Sequence, residues 1–225
     1  MEKKIICYDI DGTLTTEMLF VPLVASEHET GILSDESYAN IVEILKLYKA
    51  GGIAYEDAVQ RLIERHASGL TGNELVDVEN HAVDFIESHT QLFRAFGRQV
   101  IDALRNTSHQ LAVTAEPLYV ARAVASHLGL DNVYATEYQV AAGRFTGNIS
   151  ISLAHRSQKS QLLSRYSIHA AFGDSEGDID MLSSAKHPIC ISPSAELKAL
   201  AEANGWLISS GEEQDADGII SRLTA

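Results

Sequence analysis

An α/β fold with a parallel sheet, whose first strand is separated from the others by a helical insert of about seventy residues, is what this 225-residue sequence predicts. Three observations carry the prediction. A short apolar run, Ile5 to Tyr8, stops abruptly at Asp9-Ile10-Asp11-Gly12-Thr13. From about residue 18 to about residue 90, apolar positions recur at helical spacing with no strand between them. After residue 98, short apolar runs alternate with helical stretches in the rhythm of βαβ units.

Residues 4 to 8 read as a buried strand that glycine and polar residues end. Met18-Leu19-Phe20-Val21 opens the insert, either as a core helix or as a wall of a pocket beneath it. Ile41, Ile44, Leu45 and Tyr48 share one helical face, with Asp35 ahead of them and Gly51-Gly52 behind as start and stop signals. Tyr55 to Ala67 and Glu74 to Ile86 form two further helices. Leu111-Ala112-Val113 is then a strand, Leu118 to Leu128 a helix and Asn132 to Ala135 a strand, followed by a glycine-turn hairpin at Ala141 to Phe145. A helix near His155 to Tyr166, a strand at His169 to Phe172, a helix after Glu176, a strand at Pro188 to Ile191, and helices at Ala195 to Ala203 and Asp217 to Leu223 complete the order. An insert after the first strand is expected to lie over the carboxyl ends of the strands, where open α/β sheets bind ligands.

Composition narrows the function. With 45% hydrophobic residues the chain can build a core, which excludes a disordered or fibrous protein. Lys and Arg number 17 against 31 Asp and Glu, a formal charge of −14 that repels phosphate backbones and anionic lipid, so neither nucleic acid nor a membrane is an expected partner. No feature points to a protein partner. Cys7 and Cys190 have no Cys-x-x-Cys spacing and read as buried strand residues in a reducing compartment. The apolar run after Met1-Glu2-Lys3-Lys4 is too short for a signal peptide, and no run approaches the roughly 20 residues of a membrane span, so a cytoplasmic location is expected.

The residues able to do chemistry fall at strand ends and helix starts: Asp9 and Asp11, Thr114, Lys159, and the run Gly173-Asp174-Ser175-Glu176-Gly177-Asp178. Carboxylates with one lysine and one hydroxyl suit phosphoryl transfer, where charge spreads over phosphate oxygens, and Mg²⁺ is the natural companion of such a set. Other chemistries fit less well. Asp174, Glu176, Asp178 and Asp180 follow EF-hand spacing, but Ile179 stands where that loop needs glycine and Ala185 where it needs glutamate. There is no His-Glu-x-x-His, no Gly-x-Ser-x-Gly and no Walker-type loop.

The order and local sequence of these signals resemble the haloacid dehalogenase-like hydrolase superfamily, whose members are mostly Mg²⁺-dependent phosphatases. Asp9-x-Asp11-Gly12-Thr13 is similar to its first motif, Thr114 after an apolar strand to its second, Lys159 to its third and Gly173-Asp174-x-x-x-Asp178 to its fourth. Within it the phosphoserine-phosphatase-like branch is nearest, because that branch carries an all-helical cap between the first two motifs and stretches similar to Val133 to Glu137 and Gly143 to Gly147. The resemblance implies a Rossmann-like core of residues 1–16 and 91–225 with a helical cap of residues 17–90. It further implies that Asp9 is the nucleophile forming an aspartyl-phosphate and Asp11 the acid and base. Gly12, Thr114 and Lys159 would bind phosphate, while Asp9, Asp11 (through its carbonyl), Asp174 and Asp178 would form the Mg²⁺ site. The implied substrate is a small phosphorylated metabolite.

The sequence departs from that branch in two places. Thr114-Ala115-Glu116-Pro117 replaces a motif-two serine followed by two glycines. Met18 and Leu62 fall where the branch has its substrate-clamping glutamate and arginine, with Glu17, Arg61 and Arg65 adjacent. Phosphoserine is therefore not the expected substrate. Glu17, Met18 and Glu116 are the candidate substrate residues, and the two glutamates favour an amino-bearing ester, of which histidinol phosphate is an example in the branch. Two alternatives stay open: transfer of the phosphoryl group to another alcohol, and a non-catalytic Mg²⁺- or phosphate-binding protein.

Overall fold

The computed structural model describes residues 3–224; Met1, Glu2 and Ala225, the outermost ends of the expected core segments, lie outside the described residues. Seven strands, β1 (Lys4–Tyr8), β2 (Ser108–Pro117), β3 (Asn132–Ala141), β4 (Arg144–Ile151), β5 (Ile168–Gly173), β6 (His187–Ile191) and β7 (Leu207–Ser209), form one sheet in the order β4-β3-β2-β1-β5-β6-β7. All neighbours are parallel except the hairpin β3–β4. The first strand is thus central, flanked by β2 and β5, and Ile6, Cys7 and Tyr8 are almost wholly buried. Side chains alternate across a strand, so Ile6 and Tyr8 join the core on one face while Cys7 joins Leu111, Val113, Ala171 and Met181 on the other. Both cysteines are buried, and burial pushes their thiols up to about 12, which makes them packing residues.

Four helices, α1 (Phe20–Glu29), α2 (Asp35–Lys49), α3 (Tyr55–Gly69) and α4 (Leu75–Ser88), occupy the insert. Ser34, one residue before the expected start, caps α2 by accepting the Ser37 N–H at 3.2 Å, and Asp35 and Glu36 enter its first turn, where the helix dipole favours acids. The chain leaves and re-enters the core at one place: Thr15 bridges Phe93, and the Thr16 N–H donates to the Leu92 carbonyl at 2.8 Å. Two seams then fix the insert on the sheet. In the first, the β3–β4 hairpin reaches the loop between α3 and α4, with the Gly72 N–H on the Phe145 carbonyl (2.9 Å) and the Leu75 N–H on the Gly143 carbonyl (2.9 Å).

The second seam is a buried polar quartet. Glu27 of α1 and His66 of α3 meet at 2.6 Å, Tyr119 donates to Glu27 at 2.8 Å, and the second ring nitrogen of His66 lies 3.1 Å from the Tyr138 hydroxyl of β3. Tyr119 opens the core-side helix α6 (Leu118–Leu128), so two partners come from the insert and two from the core. An unpaired buried polar group costs about 1–3 kcal/mol, so displacement of the insert would have to overcome several such penalties.

The remaining helices are α5 (Ala95–Leu104), α7 (Arg156–Leu163), α8 (Ile179–Ser183), α9 (Ala195–Asn204) and α10 (Ala216–Thr224). Helix α5 and strand β7 add to the order expected from the sequence, and β2 and β3 run several residues beyond their expected ends. No described helix is long and apolar enough to cross a membrane.

Candidate active site

The carboxyl end of β1 delivers Asp9 and the carboxyl end of β5 delivers Asp174, on adjacent strands, while Thr114 sits on β2 at the other side of β1. Lys159, on the first turns of α7, is 5% exposed; its ammonium donates to Asp9 Oδ1 and Asp178 Oδ1, each at 2.8 Å. Asp178 is fully buried, and its second oxygen accepts the N–H groups of Asp174 and Ser175, each at 3.2 Å. Oxygens of Asp9, Asp174 and Asp178 lie within 4.8 Å of one another, a set able to hold a metal ion. The hydrogen bonds of Asp178 fit it to orient that set, leaving Asp9 and Asp174 with more freedom to ligate.

Charge is unbalanced here. Burial, then repulsion from Asp178, pushes the Asp9 carboxyl up to about 8 against the opposing pull of Lys159. Burial and the charges of Asp178 and Asp9 push Asp174 up to about 9. Burial alone would lower the Lys159 ammonium, yet Asp178 and Asp9 hold it well above its usual range. One buried cation faces several buried carboxyls, a deficit that a divalent cation offsets.

Asp11 occupies a different position. One carboxylate oxygen accepts the Leu19 N–H at 2.7 Å, tying it to the start of α1, and its carboxyl meets that of Glu116. Glu116 is 3% exposed, and burial and the neighbouring Asp11 charge hold its carboxyl well above the usual range. Among the described residues no N–H or O–H donates to Glu116, and its Oε2 is the one buried side-chain polar atom without a partner.

Gly12 has φ +72, and a Cβ there would stand 2.2 Å from Asp174 Oδ2. The bare backbone therefore admits the Asp174 carboxylate, a packing demand additional to the phosphate approach that the resemblance implies for this glycine. Arg94 secures the same loop by donating to the carbonyls of Gly12 (3.2 Å) and Thr15 (3.1 Å). Gly12→Ala is expected to cost about 1–2 kcal/mol in backbone strain and, by displacing Asp174, about a hundredfold in activity. Urea midpoints and turnover of an aryl phosphate measure both; wild-type values would contradict the packing account.

A pocket opens beside these groups, lined by Asp9, Asp11, Thr114, Glu116 and Lys159 from the core and by Met18, Phe20, Tyr55, Val59, Leu62 and Ile63 from the insert. Met18 is thus a wall residue, whereas Glu17 is exposed and does not line the pocket. Arg61 and Arg65 are exposed and line a separate groove with Asn40 and Glu43 of α2. Sequence reasoning did not single out Tyr55, whose hydroxyl accepts from Ser175 at 3.3 Å, although the spacing of Tyr55, Val59 and Leu62 on one helical face was there to be read. Arg94 carries no local signal.

Comparison with known proteins agrees with this architecture. A crystal structure of a protein of unknown function from Bordetella pertussis covers 92% of this chain and 98% of its own, with a TM-score of 0.77 and 21% identity. A substrate-bound phosphoserine phosphatase complex covers 95% and 94%, with a TM-score of 0.64 and 20% identity. A phosphoserine phosphatase of Mycobacterium tuberculosis is 31% identical over 104 residues, 43% of this chain and 34% of its own, so the chain spans about a third of the length of that curated relative. The model of the haloacid dehalogenase-like hydrolases matches residues 6–183, most of the sequence and all of the carboxylate site, and the chain belongs to that family.

Proposed function

We propose that this hydrolase is a Mg²⁺-dependent phosphatase that cleaves a small phosphomonoester through an aspartyl-phosphate on Asp9. The observation that carries the reading is the Lys159 bridge, which holds a carboxylate oxygen of Asp9 at 2.8 Å within a buried cluster of carboxylates. A lone buried carboxylate would be costly, whereas one paired with an ammonium and oriented toward a pocket suits a nucleophile.

The cluster fits Mg²⁺, since its donors are hard oxygens and its charge lacks a second cation. Asp9 and Asp174, with the main-chain carbonyl of Asp11, would hold the ion, and when bound it supplies charge neutralisation at the phosphate oxygens. The chain's own residues perform the rest. Asp9 attacks phosphorus; the bond to the alcohol oxygen breaks and Asp11 gives that oxygen its proton. Asp11, now a carboxylate, takes a proton from water as the water attacks phosphorus and releases Asp9 with inorganic phosphate. Burial raises the Asp11 carboxyl, which suits a group that must deliver a proton near neutral pH. Thr114 hydrogen-bonds a phosphate oxygen, Lys159 neutralises developing charge, and Asp178 keeps Lys159 and the Asp174 loop in place.

Residues 17–90 are the cap and 1–16 with 91–225 the core in this reading. The paired crossing at Thr15 and Phe93 supports the division, because both connections run side by side there. The test is phosphate release from a phosphomonoester panel with Mg²⁺ and with chelator, with alcohol acceptors added to detect transfer. Turnover that requires the metal is expected. Absence of turnover from folded, Mg²⁺-binding protein would favour the binding-protein alternative.

A further inference from the structure

Resting on the phosphatase reading, we propose that the substrate is the phosphate ester of a compact, apolar amino alcohol lacking a carboxylate, and that Glu116 receives its ammonium group. Three observations converge. The insert walls the pocket with Met18, Phe20, Val59, Leu62 and Ile63 and with Tyr55, whose hydroxyl is engaged by Ser175, so it offers a ligand largely apolar surface around one buried acidic point. That point is Glu116, nine-tenths buried, with one side of its carboxyl against Asp11 and no protein donor reaching it. A buried acceptor left without a donor is costly, and a ligand that supplies one recovers the loss.

The third observation is the absence of any cation for a carboxylate. Among the described residues Lys159 is the one basic side chain lining the pocket, and Asp9 and Asp178 already engage it. The nearest alternatives on α3, Arg61 and Arg65, face the groove shared with α2. A carboxylate-bearing alcohol such as serine would therefore bring an anion into apolar walls beside Asp9, Asp11 and Glu116 with nothing to pair it. An ammonium meets the opposite field and gains a charge-assisted hydrogen bond. Glu17, exposed outside the pocket, takes no part.

The test compares kcat/KM with Mg²⁺ for valinol phosphate, its amine-free isostere isopentyl phosphate, phosphoserine and nitrophenyl phosphate. Valinol phosphate is expected to exceed both isopentyl phosphate and phosphoserine by about tenfold or more, and Glu116→Gln is expected to reduce the valinol-to-isopentyl ratio by about 10- to 100-fold. Equal turnover of valinol and isopentyl phosphates, a preference for phosphoserine, or an unchanged ratio in the variant would overturn the assignment while nitrophenyl phosphate turnover kept the phosphatase reading intact. No turnover of any ester would overturn both. Should the variant fail to fold, the wild-type ratios still decide.

Discussion

Asp9→Asn is expected to reduce phosphate release by roughly ten-thousand-fold or more, as removal of a catalytic nucleophile does, while making the metal-free protein more resistant to unfolding at neutral pH. The two effects share a cause. In the folded chain the Asp9 carboxyl is pushed up to about 8 by burial and by Asp178. In the unfolded chain it titrates near ~3.9. Between those values the unfolded state is ionised while the folded state binds a proton, so the group opposes folding increasingly as pH rises from about 4 to about 8. Asparagine removes that penalty and leaves Lys159 paired with Asp178. Urea midpoints in chelator should therefore separate the variant from wild type little at pH about 4 and most near pH about 8. The same variant should gain less stability from added Mg²⁺, because it has lost a ligand. Activity above about a hundredth of wild type, or a variant less stable than wild type at every pH, would be incompatible with Asp9 as a buried nucleophile.

Much of this site was legible in the sequence because its parts mark the ends of apolar runs. Asp9 and Asp174 follow buried strands directly, and the order of elements other than α5 and β7 follows from periodicity. What escaped has physical reasons. Helix α5 carries a readable apolar spacing in Phe96, Val100, Ile101 and Leu104 but no side-chain cap to announce it. Strand β7 is three residues long, too short for an alternation to register. The Glu27–His66–Tyr119–Tyr138 quartet joins residues up to 111 positions apart and leaves no local trace. The setting of Glu116 depends on β2 continuing past Val113 to Pro117 through a register irregularity with β3, which carries its carboxyl back to Asp11. By contrast, the inward turn of Leu62 and the outward turn of Arg61 and Arg65 follow from helical spacing, with Tyr55 and Val59 on the same face as Leu62.

Lys159→Met should give the opposite stability result at the same cluster. Methionine keeps the stem volume but removes the single ammonium, leaving Asp9 and Asp178 buried without a cationic partner. Removing one member of a buried pair costs about 3–5 kcal/mol, so a loss of that order is expected in urea denaturation near pH 8 without metal. The sign of the pH dependence differs from that of a lysine titration. The Lys159 ammonium is held well above its ordinary range and stays charged throughout the neutral region, so its own titration contributes nothing there. The Asp9 carboxyl, pushed up to about 8 even in the wild type, titrates instead: as pH falls below that value the folded protein takes up its proton, that buried charge disappears and the deficit relative to wild type shrinks. Phosphate release should fall by about a hundred- to a thousand-fold, since charge developing on the phosphoryl group loses its neutralising partner. A surface lysine held by two chance hydrogen bonds would yield neither the large loss nor its pH dependence. Because Asp9→Asn removes a charge of the majority sign and Lys159→Met the only one of the minority sign, an electrostatic cluster requires metal-free stability to rise in the first and fall in the second, whereas simple loss of one hydrogen-bonding partner would lower it in both.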